Sequence, residues 1–429
     1  MKDINSIGNA MIIAEDQYYD LDCYRTQVNN NVLVVGSPGT GKTRSIVSPN
    51  ILQALGSYII VDPKGRLHEE YRDYLEAQGY VVQKLNFSNP EDLETCSYNF
   101  FDYIRNEQDI LKVAHMLIYA TGDGRNKTLD PFWDEAAELL AVSLIGFLHY
   151  YAPPGKRNLS NILEMVRMCT IEGSLGGQTR MNRVDCAFED IRMRYPNSFC
   201  YRAYRQFRQA ADKTLQSILI TLSSKLAVFD TEGIRRFLAG DSIDIQAIGK
   251  RKTALFVIVS DTDRSMDPMA NMFFTQAMNE LVSAADAMPD YRLPIDVRFI
   301  LDDFATNVRI AEFPRLIASI RSRGISTMLM IQAESQLRNA YGVDARTIIG
   351  SSDTYVYLGG NDVETAQSVS QRANLPLNRI LNMPVGTNWI FRRGQPPVNA
   401  KNFDVESFAE VKLKEHKQPK AEMDTEQEL

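Results

Sequence analysis

With 429 residues, 44% apolar and 24% charged, the chain is long enough for two or three domains and has a globular composition, which excludes a fibrous or disordered protein. A net charge of −7 excludes bulk coating of nucleic acid and leaves a local basic lining open. Five dispersed cysteines without CxxC spacing and four scattered histidines predict reduced thiols, a cytosolic setting and no zinc site.

The first ten residues, MKDINSIGNA, hold no apolar core and no twin arginine, so no signal peptide is expected. Next comes NVLVVGSPGTGKT, residues 31 to 43, an apolar strand running into a glycine-rich turn. Gly36-Ser37-Pro38-Gly39-Thr40-Gly41-Lys42-Thr43 fits G-x-x-x-x-G-K-[ST] in full. Glycines let backbone N–H groups turn inward around a phosphate chain, where side chains would intrude. Lys42 adds a point charge for the β and γ phosphates, and the Thr43 hydroxyl can ligate Mg²⁺. A helix from Arg44 to Leu55 is expected to aim its positive end at the phosphates, so Arg44 joins the eight loop residues as a candidate nucleotide contact.

Two apolar runs ending in aspartate compete for the second magnesium contact. Tyr58–Asp62 (YIIVD) follows the P-loop helix directly, whereas Val297–Asp303 (VRFILDD) lies far downstream. GTPases and small kinases place such a strand beside the P-loop strand, whereas ATP-driven motors insert another strand and add a second carboxylate. Asp302-Asp303 supplies that pair, one carboxylate for Mg²⁺ and its neighbour to polarise water. The next strand-like run, Ser326–Ile331, ends in Gln332, placed to sense the γ-phosphate. Guanine recognition is disfavoured, because Asn126-Lys127-Thr128-Leu129-Asp130 is one residue too long for Asn-Lys-x-Asp. ATP is the expected nucleotide.

From about Phe100 to Gly249 the pattern is helical, with Leu215, Ile218, Leu222 and Leu226 at i, i+3, i+7 and i+11. The longest apolar run, Leu139–Leu148, is about half the length of a ~20-residue membrane span and is expected as a buried helix. In Tyr201–Arg208 (YRAYRQFR) the aromatics share one helix face and the arginines another. This suits base stacking with phosphate contact or, more commonly, an amphipathic helix with a solvated stripe. TALFVIVS at 253–260 resumes strand character, and alternation of strands and helices predicts a mostly parallel sheet.

Several strings stand in a telling order: DPKG at 62–65, LNFSNP at 85–90, SYNFFDYI at 97–104 and DPFWDEAAELL at 130–140. SIRSRGIS at 319–326, MIQAESQLRNAYG at 330–342 and YLGGNDVETA at 357–366 follow. Together, over about residues 30 to 400, the chain resembles the TraG-like type IV coupling proteins, ATPases that deliver DNA to a conjugation or type IV secretion channel. The resemblance implies an α/β, RecA-like P-loop domain with a mostly parallel central sheet, interrupted by an inserted all-α domain, and a homo-hexameric ring. The expected division is 1–99 and 250–405 for the nucleotide-binding domain, 100–249 for the insert and 406–429 for a flexible polar tail.

The candidate site is Lys42, Asp302, Asp303 and Gln332 as catalytic and Thr43 and Asp302 as magnesium ligands, to which the resemblance adds Arg321, ahead of Arg323, as the arginine completing a neighbouring subunit's site. Asp62 and Lys64 are expected near the P-loop, coupling it to other parts or merely shaping their turn. The implied cofactors are ATP and Mg²⁺. The implied partners are single-stranded DNA, a relaxase and channel components at the membrane.

Three departures stand out. Asp303 replaces the usual glutamate, Arg66 replaces the acid after Asp-Pro-Lys-Gly, and only about 30 residues precede the P-loop where the family begins with transmembrane helices. Either an anchor has been removed, or this member works in the cytoplasm and is recruited to the inner face of the membrane by a partner. A motor that moves DNA is the leading function. A recruitment platform for protein substrates, with ATP mainly ordering assembly, is the alternative. A metabolic kinase is disfavoured by the distant acidic pair and the large helical insert.

Overall fold

The computed structural model describes residues 8–119, 131–169 and 181–417. Among them are eleven strands: β1 (Ala10–Ala14), β2 (Gln17–Asp20), β3 (Val32–Val35), β4 (Ser57–Val61), β5 (Val81–Asn86), β6 (Thr253–Ile258), β7 (Val297–Leu301), β8 (Ile325–Ile331), β9 (Thr354–Tyr357), β10 (Thr387–Arg392) and β11 (Val398–Lys401). β1 and β2 form a hairpin. The other nine make one sheet in the order β11-β10-β9-β3-β8-β7-β4-β6-β5. Strands β9 through β6 in that order run parallel, and β10 and β11 add an antiparallel edge.

The central strands are continuous apolar runs because both sheet faces are covered, as parallel sheets require. Every residue of β3, β4, β6, β7 and β9 is buried. At the edge, β11 instead alternates half-buried and exposed residues. Register places Val35 opposite Ile331 and Leu301 opposite Leu329. The residues that follow β3, β8 and β7 therefore leave the sheet at one edge, and these are Gly36, Gln332 and Asp302.

The chain divides into two compact units. One comprises the chain up to Lys84, Asp244–Asp261 and the chain from Met278 on; the other comprises Leu85–Ile243 and Thr262–Ala277. In the first, Val34, Ile46, Ile60, Phe256, Met330 and Val356 belong to one core cluster. The Val405–Lys417 helix adds Phe408, which is fully buried and meets Phe403 edge to face. The expected tail thus begins as a helix, because Val405 and Phe408 bury apolar surface that a polar reading of the segment overlooked. The rest of that expectation, 418–429, lies outside the described residues.

Between β5 and β6 the described elements are all helical. Leu139–Leu148 falls inside the Phe132–Tyr151 helix, where Leu140, Leu144, Ile145 and Leu148 are buried. Leu215, Ile218, Leu222 and Leu226 form the buried stripe of the Asp212–Leu226 helix. Among the described residues no helix is long and apolar enough to cross a membrane.

Candidate nucleotide site

The P-loop starts as a continuation of the sheet. Gly36 N donates to Ile331 O at 3.1 Å and Ser37 N to Gly359 O at 3.0 Å, so the ends of β8 and β9 hold its first turn. Gly39 and Gly41 take φ of 81° and 88°, a left-handed backbone that side chains resist. Thr40 closes the turn, its hydroxyl donating to Ser37 O at 2.8 Å.

The helix beyond begins with a wide turn, Thr43–Val47, and becomes α-helical over Ser48–Leu52. Pro49 explains the widening. It has no N–H for the Ser45 carbonyl and its ring crowds that carbonyl, while Ser48 N reaches back to Thr43 O. The helix ends before the expected Leu55, where Ala54 and Gly56 turn left-handed.

Lys42 is 8% exposed, and its Nζ donates to Gly36 O at 2.6 Å. Burial pulls its pKa down, opposed by the nearby charges of Asp303 and Asp302. The Thr43 hydroxyl donates to Asp302 Oδ2 at 2.7 Å, across 259 residues of sequence. Asp302 is buried and its pKa is raised, first by desolvation. The Thr43 hydrogen bond and the Lys42 charge pull the other way, and the Asp303 charge raises it further. Thr43, Lys42 and the acidic pair thus lie together.

Asp303 sits at φ 50°, a region that aspartate tolerates better than most residues. The next residue is pinned to β8 by Phe304 N donating to Met330 O at 2.9 Å. The turn brings Asp303 Oδ1 to 3.4 Å from Gln332 Nε2. Gln332 N in turn donates to Gln336 Oε1 at 2.8 Å. Gln336 escaped the sequence reading, although its i+4 spacing from Gln332 in MIQAESQ was visible. Glu334 escaped too: it is buried, accepts from Tyr355 Oη at 2.9 Å and Ser368 Oγ at 3.1 Å, and its N donates to Thr365 Oγ1.

Other candidates lie elsewhere. Arg321 precedes β8 whereas Gln332 follows it, so the seven-residue strand of roughly 23 Å separates them. Arg321 Nη2 donates to Cys23 O at 2.6 Å, and Arg323 pairs with Asp286 at 2.7 Å. Arg321 is therefore not brought to its own P-loop. Arg44 makes an exposed ion pair with Glu406. Asp62 follows β4, separated from β3 by β8 and β7, and accepts the His68 N–H at 2.9 Å. Lys64 and Arg66 are exposed. The expectation that Asp62 sits near the P-loop gives way to its other reading, shaping its own turn.

The Tyr201–Arg208 segment is amphipathic, with Arg202 and Arg205 exposed and its aromatic face in the core. Tyr204 and Phe207 are buried, the Tyr204 ring stacks on Phe188 at 3.9 Å, and its hydroxyl donates to Asp185, which also pairs with Arg208. Asn126–Asp130 lies outside the described residues.

A family model, type IV secretory system conjugative DNA transfer, matches residues 6–373. No curated protein matches the chain. Among solved structures, the conjugative coupling protein TrwB in a trigonal form with sulphate is similar at TM-score 0.63 and 20% identity, over 88% of this chain and 86% of that one. TrwB with ADP and Mg²⁺ is similar at TM-score 0.61 and 20% identity, over 87% and 85%. VirB4 of Thermoanaerobacter pseudethanolicus is similar at TM-score 0.57 and 13% identity, over 94% and 98%. These likenesses extend to the fold, a RecA-like P-loop architecture.

Proposed function

The chain belongs to the type IV secretory conjugative DNA-transfer family, and on that premise we propose that it is an ATP-hydrolysing coupling protein. It delivers single-stranded DNA, with its attached relaxase, to a conjugative type IV secretion channel. The observation that carries this reading is the Thr43–Asp302 hydrogen bond at 2.7 Å, made with one strand, β8, between the strands that supply the two residues. Two oxygens this close, one on a P-loop hydroxyl and one on a carboxylate, suit a shared Mg²⁺.

In this function the loop Gly36–Thr43 wraps the phosphates, with the backbone N–H groups of Gly39, Gly41, Lys42 and Thr43 turned toward them, and Lys42 neutralises them. Thr43 and Asp302 hold Mg²⁺, which when bound neutralises charge on the β and γ phosphate oxygens. Asp303 polarises the attacking water, and Gln332, hydrogen-bonded to it, registers loss of the γ-phosphate. Arg321 acts on the neighbouring subunit of a homo-hexamer, since its own P-loop lies at the other end of β8. The ring works on the cytoplasmic side, recruited to the membrane by channel components.

A recruitment platform with ATP mainly ordering assembly is the second reading, favoured by Arg321 being held on Cys23 O within its own protomer. ATPase rate measured against protein concentration, with and without single-stranded DNA, separates the two. The motor gives a cooperative rate that DNA stimulates and salt weakens. A flat, negligible rate defeats the motor.

A further inference from the structure

The P-loop is also held from its outer side by a residue near the far end of the chain. Asn402 Nδ2 donates to Thr40 O at 3.3 Å and lies 3.8 Å from where a Cβ on Gly41 would stand. Thr40 and Gly41 are the two residues before Lys42, so their peptide planes decide where the last N–H groups of the cradle point.

Asn402 is itself fixed on every side. Its backbone N donates to Gly386 O at 2.8 Å, and the preceding Lys401 O accepts from Glu15 N at 3.0 Å. Its Oδ1 accepts from Asn388 Nδ2 at 3.0 Å. Asn388 is completely buried on β10, where its backbone carbonyl accepts from Asn399 Nδ2 at 3.1 Å. The Thr40 carbonyl can only accept, so the Asn402 oxygen is turned to the Asn388 NH₂, whose own Oδ1 is buried without a hydrogen-bond partner among the described residues. The Asn402 NH₂ faces the P-loop. The next residue, Phe403, is buried against Tyr18 and Phe408 and cannot shift cheaply.

We propose that Asn402 is a positioning residue for nucleotide binding: held in orientation by Asn388, it fixes the Thr40–Gly41 peptide and so pre-organises the phosphate cradle. The inference rests on the nucleotide reading of the P-loop given above. It deepens that reading by assigning part of the binding affinity to the β10–β11 hairpin and the linker that follows it. A cradle organised in advance binds the phosphates common to ADP and ATP, so its contribution is uniform between ground and transition states.

The test is MgADP affinity by titration calorimetry, with KM and kcat for MgATP, on the whole chain. Asn402→Ala removes the donor to Thr40 and is expected to raise Kd and KM about three- to tenfold, the range of one neutral hydrogen bond, with kcat changed less than about twofold. Asn402→Asp keeps an acceptor for Asn388 but sets a carboxylate against the Thr40 carbonyl, and should weaken binding more than Asn402→Ala. A residue serving only the fold would not produce that order. Glu406→Ala, which breaks the exposed pair with Arg44, should move Kd less than about twofold. Unmoved affinity in both Asn402 variants, or a fall in kcat at constant KM, overturns the inference. If the wild-type chain failed to bind MgADP, the nucleotide reading would fall first and take the inference with it.

Discussion

Two aspartates end two neighbouring strands of the same sheet, and the contrast between them shows what makes a carboxylate part of a nucleotide site. Asp62 follows SYIIV and Asp302 follows VRFIL, runs of equal length and similar apolarity, and both are buried. Desolvation raises the pKa of both. What differs is distance from the P-loop strand: β7 is two strands from β3, about 10 Å, and β4 is three, about 14 Å. At the shorter distance the Thr43 side chain reaches the carboxylate. At the longer one the carboxylate is satisfied by its own turn, chiefly the His68 N–H. Burial and a strand-end position are shared, so neither marks the site; a side-chain partner from the P-loop does.

The largest test of that contrast is a pair of isosteric changes. Asp302→Asn is expected to lower kcat for MgATP by on the order of 10³, the scale lost when a key electrostatic contact at a reacting phosphate goes. Asp62→Asn should leave kcat within about fivefold, since its contacts close on the local backbone. Comparable losses in steady-state assays of the two variants would erase the distinction between them. Next in size is Asp303→Asn, expected to cost about 10² in kcat with nucleotide binding retained. Asparagine tolerates the left-handed φ of 50° as aspartate does, so this loss reads chemistry rather than folding. Turnover unchanged in Asp303→Asn would move the water-polarising role to another group.

Much of this site is legible in the sequence because its signals are local. The P-loop, the Asp302-Asp303 pair and Gln332 each announce themselves within a few residues, by glycine spacing or by a polar group closing an apolar run. Sheet order is not local. YIIVD and FILDD look alike until β8 is seen to lie between β3 and β7 and β4 to fall outside them. The same blindness hides Asn402, which meets Thr40 across 362 residues, and Glu334, whose partners Tyr355 and Ser368 come from later elements. In Tyr201–Arg208 the periodicity was visible but the occupant of the aromatic face was not. Phe188 and Asp185, from the preceding helix, take it. Pro49 was in plain view, and its missing N–H accounts for the wide turn after the loop.

A smaller effect sharpens the role of the strand between. Gln336 holds the Gln332 backbone N–H at 2.8 Å, and Gln332 in turn reaches Asp303. Gln336→Ala should lower kcat about tenfold through a misplaced Gln332 while KM stays within about twofold, since neither glutamine lies on the P-loop. A rise in KM instead would assign Gln336 to binding.

The smallest expected effect is on stability, and it isolates Asp62 from catalysis altogether. Burial lifts its carboxyl above the ordinary 3.8, outweighing the backbone N–H groups of His68, Lys64, Leu67 and Gly65 that favour the charged form. The folded chain therefore keeps this proton to a higher pH than the unfolded chain does. Between those two values the native state binds more protons, so stability falls as pH rises through the window and then levels off. Asp62→Asn cannot titrate and removes this contribution. The difference in urea midpoint between Asp62→Asn and wild type should therefore grow in favour of the variant from about pH 4 upward, then become constant. A difference that stays flat across the window, or shrinks as pH rises, would mean that the Asp62 turn stabilises the carboxylate at least as much as burial opposes it. Asp62 would then be the better-solvated of the two strand-end carboxylates, and the likeness on which the contrast with Asp302 is built would fail.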